Sequence, residues 1–431
     1  MSEPGKSVSA EHHGRSWGAM LAMAALGLPG IVMRAMGLHS EPLVDALIFG
    51  TSILAAAFLL SWAVEALELD ISQGLALAII ALIAVLPEYA VDAVLAWREG
   101  ADYAAAKAAG LDPRAAVDGL AIANMTGGNR LLIGVAWPLV FVVAFYRTRI
   151  KELVVDPQRA LELLFLAVAT AYVILIPLRH TVTIIDTIVL VSLFLCYVFF
   201  TAKVKSEEVL ELVGPSRAIG ALNNGPRRLL TVILLVFSAA VIFASAEPFA
   251  EGLVHTGEEF GISKFLLIQW LAPLASESPE VMVAALLAWR GRASVGMGAL
   301  ISSKVNQWTL LIGTLPVAFL LSAGEFSFTG GLPLDNRQRE EIFLTAAQSA
   351  FAIAVFINLK MGPREAAALF VLFATQLFIT NELVRLYYAA AYGVLCVIIL
   401  VANRREIPET LRTAWNIMRG RPGDYRAAGL P

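Results

Sequence analysis

Apolar stretches of about 17 to 30 residues recur along the chain, separated by short polar and charged segments, and each is long enough to cross about 30 Å of hydrocarbon as a helix. Twelve can be read, at residues 17–36, 43–66, 71–97, 116–146, 160–178, 182–202, 229–250, 262–289, 294–321, 341–358, 364–382 and 385–402. Asn381, Glu382 and Arg385 form only a thin divider between the last two, so this stretch reads as one span or two. The pattern predicts an all-α, polytopic membrane helix bundle. Lipid at the protein surface leaves helices as the way to satisfy a backbone that shows no alternating strand pattern.

One segment occurs twice. PEYAVDAVLAWR begins at Pro87 and PEVMVAALLAWR at Pro279; at an offset of 192 they share eight of twelve residues, including Glu88 with Glu280 and Trp97 with Trp289. A carboxylate at mid-membrane costs roughly 2.5 to 3.5 kcal/mol even on the lenient insertion scale for Asp, so two at equivalent positions point to an ion site. Past this helix the duplication continues at an offset of 179, which sets Gly119, Ile122 and Leu131-Leu132-Ile133-Gly134 on Gly298, Ile301 and Leu310-Leu311-Ile312-Gly313. The change of offset assigns the first copy thirteen extra residues after Arg98, expected to form a loop or a short surface helix.

Each half then holds about five helices. An odd number inserts the second half upside down, so that Glu88 and Glu280 approach the midplane from opposite sides, as in secondary transporters. The expected division is 1–42, an N-terminal tail and extra transmembrane helix; 43–202, the first repeat; 203–228, a cytoplasmic connecting loop; 229–384, the second repeat; and 385–431, an extra helix and basic tail.

Composition agrees: 58% of residues are hydrophobic and 16% charged, outside the range of soluble domains. Most of the 32 Lys and Arg fall on the side that would hold both termini, which predicts cytoplasmic termini, in a prokaryotic inner membrane. The basic residues are accounted for by these loops, and no nucleic-acid partner is expected; the partners are the lipid bilayer and inorganic cations. Cys196 and Cys396, the only two cysteines, sit in apolar stretches and read as small core fillers rather than a disulfide. No nucleotide, dinucleotide or HExxH motif is present, nor a catalytic constellation, so neither an enzyme nor a bound cofactor is expected. Trp97 with Arg98 and Trp289 with Arg290 read as interfacial anchors. Glu65, Glu68, Asp70, Glu247 and Glu251, near span ends, read as solvated helix ends or an ion vestibule.

The residues resemble the calcium:cation antiporter superfamily, the sodium/calcium exchangers in particular, whose repeats carry E-G-x(8)-L-G-V-S…G-T-S-x-P-E and then G-N-x-x-G-S-N-x-x-N/D…L-L-x-x-G. The second repeat follows that spacing from Glu251-Gly252 to Pro279-Glu280 and on to Gly313 without a gap. The resemblance implies a cation site of hard oxygen ligands. It places Glu88 and Glu280 on the paired ion-coordinating glutamates, Ser276 and Glu277 on the Thr and Ser of G-T-S, Ser303 on the Ser of G-S-N, and Gln307 on the Asn or Asp ligand. Asn124 falls opposite Ser303, and Gly128, with Asn129 beside it, opposite Gln307. Two departures stand out: Ala84-Val85-Leu86 replaces the first G-T-S, and Lys304 replaces the Asn of G-S-N. Counting Glu88, Asp92, Glu277 and Glu280 against Lys304 and Arg130 leaves about two negative charges. Lys304 and Glu277, both departures in the second repeat, are expected to pair. The implied function is secondary active cation antiport, Ca²⁺ for Na⁺ by alternating access. Proton-coupled exchange of Ca²⁺ or Na⁺ is the alternative, and a non-transporting scaffold or sensor with this fold is the reading from another class.

Overall fold

A computed structural model describes residues 4–67, 69–70, 86–203, 212, 214–325, 327–377, 379 and 381–420. Among these residues ten helices are long and apolar enough to cross a membrane, and each of them answers one of the twelve stretches read from the sequence. Of the remaining two, residues 71–85 of the third stretch lie outside the described residues. The other, 364–382, is shorter than expected: its helix covers only Pro363–Gln376, 14 residues, or about 21 Å.

The helices are α1 (Pro4–Met36), α2 (Pro42–Leu67), α3 (Leu86–Ala108), α4 (Leu120–Leu131), α5 (Trp137–Thr148), α6 (Arg159–Val173), α7 (Ile184–Thr201) and α8 (Pro215–Gly220). They continue as α9 (Asn224–Phe260), α10 (Lys264–Trp289), α11 (Ala293–Asn306), α12 (Ile312–Ala323), α13 (Asn336–Val355), α14 (Pro363–Gln376), α15 (Glu382–Ala402) and α16 (Ile407–Met418). Single π-helical turns, Leu132–Ala136 and Gln307–Leu311, join α4 to α5 and α11 to α12.

Two compact units result. The first comprises Met1–Val91, Lys205–Leu267 and Leu274–Pro279; the second Asp92–Val204, Ile268–Pro273 and Glu280–Pro431. These units cut across the repeats, since α2 of the first half and α9 of the second belong to one unit. The chain changes unit within α3 and α10, the two helices that carry the Pro-Glu pairs.

In the first unit α2 and α9 pack closely because glycines face the contact. A Cβ at Gly50 would fall 2.7 Å from the Phe249 ring, and one at Gly252 2.8 Å from the Ala46 amide nitrogen. Leu59, Trp62, Ala63, Ile219 and Leu234 form the apolar core between α2, α8 and α9, joined by Met20 of α1. The second unit holds a larger core around Trp137, Phe141, Met297, Phe351 and Phe356.

The 179-residue repeat is visible within the second unit in side-chain detail. Gly119 leaves no room for a Cβ because of Gln338, and Gly298 none because of Arg159; both the glycines and their neighbours are 179 positions apart. Thr183 N donates to Asp186 Oδ2 at 2.7 Å at the start of α7, and Gly362 N donates to Glu365 Oε2 at 3.1 Å at the start of α14. Each acidic side chain satisfies an amide that the helix itself leaves orphaned. Two short antiparallel ribbons cross-link the halves: Leu153–Val154 pairs with Lys360–Met361, and Thr181–Thr183 with Gly331–Pro333. Each ribbon takes one strand from each repeat, as a twofold relation requires.

Two expectations are corrected, and the choice between one span and two at the divider is resolved. The extra residues after Arg98 are not a loop or a separate surface helix; they extend α3 to Ala108, where Gly100 admits the Phe319 backbone and Lys107 pairs with Glu325. Cys196 lies on an exposed helix face rather than in the core. The divider at 381 is a true helix break: Asn381 Oδ1 accepts from Val384 N at 3.3 Å and caps α15. The tail also contains a helix the sequence reading left unassigned, α16, which turns Ala414 and Ile417 inward and is pinned by Thr410 Oγ1 donating to Ile357 O at 2.6 Å.

Candidate cation site

The candidate ligands that fall in the second unit lie on α3, α4, α10, α11 and the second π turn. Asp92, one turn after Glu88 on α3, is buried, and its Oδ1 accepts from Asn124 Nδ2 at 2.8 Å. Glu280 on α10 is half-buried, and the Ser303 hydroxyl of α11 lies against its carboxylate. The partner that Asp92 meets is therefore a neutral amide. Asp92 Oδ2, Asn124 Oδ1 and both polar atoms of the Gln307 amide are buried without a hydrogen-bonding partner among the described residues. Buried polar atoms are normally satisfied, so such a set marks where ions or water belong.

Glu88, Ser276 and Glu277 belong to the first unit, and all three are buried. Within either unit no three acidic, His or Cys side chains come together among the described residues. The amide and hydroxyl oxygens of the candidate residues would join their carboxylates in a donor set suited to hard cations.

The two basic residues have different environments. Arg130 pairs with Glu341 at 2.5 Å, and Arg385 reaches the same carboxylate from α15 at 2.7 Å; the Arg130 guanidinium also lies 4.9 Å from the Trp270 ring centre. Arg130 thus shares the Glu341 carboxylate with Arg385; the sequence-based charge count leaves out both of these partners, whose opposite charges keep it at about two negative. Lys304 is fully buried; its Nζ donates to Asn129 Oδ1 at 2.6 Å and to the Asn129 carbonyl at 3.4 Å. The Arg130 carbonyl accepts from Gln348 Nε2 at 3.2 Å. Both carbonyls immediately precede the first π turn, where the switch from i−4 to i−5 bonding lets side chains reach the backbone.

Of the acidic residues near span ends, Glu65 accepts from Ser216 Oγ at 2.5 Å and Glu247 pairs with Arg34. Asp70 takes both Arg227 and Arg228 at 2.8 Å, and the Arg227 guanidinium, more than Arg228, holds its carboxyl down to about 2. Glu68 lies outside the described residues. Trp97 and Trp289 are 53% and 58% exposed, as lipid-interface anchors would be, and Arg147 covers the Trp289 ring at 5.6 Å.

The profile of a family described as "Sodium/calcium exchanger protein" matches residues 43–203 and 230–381, the two repeats. The chain belongs to this family. It is therefore a multi-pass integral membrane protein of the cation/Ca²⁺ exchangers, whose members are transporters. A crystal structure described as the H⁺/Ca²⁺ exchanger CAX is similar at 42% sequence identity and a TM-score of 0.86, over 94% of this chain and 99% of that one. The structure of native YfkE matches with a TM-score of 0.61 at 15% identity, over 86% and 100% of the two chains, a likeness of fold. Among curated proteins the "Putative antiporter CaxA" of Alkalimonas amylolytica is 24% identical over 106 residues. That match spans 25% of this chain and 33% of the relative's length.

Proposed function

We propose that this exchanger moves Ca²⁺ across the bilayer in return for H⁺, by alternating access. The observation that carries the reading is the neutral company of Asp92, buried and held by the Asn124 amide. A carboxylate shielded from water and given only neutral partners needs a positive charge from elsewhere. Ca²⁺ supplies it in one half of the cycle and protons in the other, so the two occupants exclude each other and their fluxes are coupled. The 42% identical H⁺/Ca²⁺ exchanger supports the same counter-ion.

In this reading Glu88 and Glu280 are the principal Ca²⁺-binding carboxylates. Asn124, Ser276, Glu277, Ser303 and Gln307 supply further oxygens at positions equivalent to, or spaced like, the exchanger pattern. Ala84-Val85-Leu86 withholds the two hydroxyl-bearing residues that the pattern carries before its first glutamate, which leaves fewer ligands for a separately bound Na⁺. The protein works in a prokaryotic inner membrane with both termini in the cytoplasm. The test is radiolabelled Ca²⁺ uptake into proteoliposomes loaded with acidic buffer, without Na⁺. Uptake that follows the pH gradient supports the proposal; uptake that needs a Na⁺ gradient and ignores pH returns the protein to Na⁺/Ca²⁺ exchange, and no uptake under either gradient favours a scaffold.

A further inference from the structure

Lys304 sits on α11 where the exchanger pattern has the Asn of G-S-N, and it is completely buried. Its ammonium is held by Asn129 Oδ1 at 2.6 Å, the Asn129 carbonyl at 3.4 Å and the face of Trp308, 4.3 Å from the ring centre. Trp308 is fixed in turn by its Nε1 donating to Thr170 Oγ1 at 3.1 Å. The oxygens and the aromatic face among these contacts suit a desolvated monovalent cation.

Packing alone does not ask for a charge here. The residue 179 positions earlier is Met125, an unbranched side chain of similar length that is itself buried, so the equivalent place in the other repeat is filled without a charge. An ammonium at this depth is costly and is retained where it serves transport. Its location is also particular: Asn129 and Trp308, which flank it, are themselves 179 positions apart. An atom in contact with both members of an equivalent pair lies close to the twofold axis relating the repeats, where coupling ions sit in inverted-repeat transporters.

We propose that the Lys304 ammonium is a built-in monovalent cation, occupying permanently the place of a transported one. The consequence rests on the antiport reading above: no Na⁺ enters at this position, one positive charge fewer crosses per cycle, and H⁺ is left as counter-ion. Lys304 is then a selectivity-determining residue, set by a fixed charge rather than by ligand count.

The experiment compares wild type with Lys304→Asn, which restores the residue of the pattern and removes the charge, and with Lys304→Met, which copies the other repeat. In detergent, added Na⁺ or Li⁺ should raise the Tm of Lys304→Asn by about 2 °C or more, as ligand linkage requires for a site newly opened to the ion. Wild type and Lys304→Met should show no such rise. In proteoliposomes Ca²⁺ flux through Lys304→Asn should become responsive to a Na⁺ gradient. Lys304→Gln, which keeps a donor for Asn129 Oδ1, replaces Lys304→Asn in both assays if the latter does not purify as folded protein. A folded variant with wild-type Ca²⁺ flux and no response to monovalent cations in either assay overturns the proposal, as does a Na⁺-dependent Tm in the wild type. The Tm assay needs no transport, so it judges the role of Lys304 even if pH-driven Ca²⁺ flux proves absent.

Discussion

Asn124 donates its amide to Asp92 at 2.8 Å, joining a carboxylate one turn beyond the first Pro-Glu pair to the helix that carries the repeat equivalent of Ser303. The contact holds one carboxylate oxygen in place and leaves the other open to a cation. Asp92→Asn should lower Ca²⁺ flux about tenfold or more while the protein remains folded. Asn124→Leu should cost about 1 to 3 kcal/mol, the penalty of a buried acceptor left without its donor. Flux measured per folded molecule, beside thermal unfolding in detergent, separates the two outcomes; unaltered flux in Asp92→Asn would assign this pair to structure alone.

The paired glutamates carry the strongest functional expectation. Glu88→Gln and Glu280→Gln, each nearly isosteric, should abolish Ca²⁺ transport with little change in Tm, because what is removed is a charge needed by the cation. Ser303→Ala should weaken transport less. Normal flux in either glutamine variant would show that glutamate to be dispensable for Ca²⁺.

Arg130, Glu341 and Arg385 form a buried charged cluster. Glu341→Gln leaves two guanidinium groups short of their carboxylate and should destabilise the protein by about 3 to 5 kcal/mol. The rate per folded molecule should stay near wild type. A specific loss of Ca²⁺ affinity without loss of Tm would bring this cluster into the transport site.

Asp70 offers a pH signature outside the membrane spans. Its carboxyl is depressed to about 2 by the Arg227 and Arg228 contacts, so the contribution to stability is complete above the ordinary carboxylate range and is lost as pH falls through about 2. The Tm difference between wild type and Asp70→Asn should be constant from about pH 8 to about pH 5 and shrink below about pH 4. A difference unchanged down to about pH 2 would mean the arginines do not act through the charge of Asp70.

The pairing of Lys304 with Glu277 expected from the sequence is open to a double-mutant cycle with Lys304→Met and Glu277→Gln. Coupling of about 1 kcal/mol or more supports it, and additive effects reject it.

Much of this architecture was legible because hydrophobic length and internal repetition report directly on a membrane fold. The Pro-Glu duplication located α3 and α10, whereas the ribbons and caps of the second unit, which repeat at the same 179-residue offset, were not read from the sequence. What was not legible depended on three-dimensional partners. Arg130 and Lys304 look alike in sequence, yet one pairs with Glu341, 211 positions away, and the other is held by Asn129. The sequence counts Asp92 as a charge but names no partner for it, because helical periodicity does not show what a residue faces across the bundle; it is buried against Asn124. The π turns left no sequence signal; just before the first of them the carbonyls of Asn129 and Arg130 accept from side-chain donors. Helix α16 went unread because it is too short and too polar to read as a span, although its apolar residues recur at helical spacing.

The most direct test of H⁺ for Ca²⁺ exchange reads the counter-ion itself. Proteoliposomes containing a pH-sensitive dye, acidic inside and free of Na⁺, are given external Ca²⁺, and the luminal pH is followed with the membrane potential clamped. The account predicts that the lumen becomes alkaline on Ca²⁺ addition, in step with Ca²⁺ entry, and that Glu88→Gln and Glu280→Gln abolish the response. Ca²⁺ entry that leaves luminal pH unchanged and appears only when Na⁺ is supplied inside would contradict it.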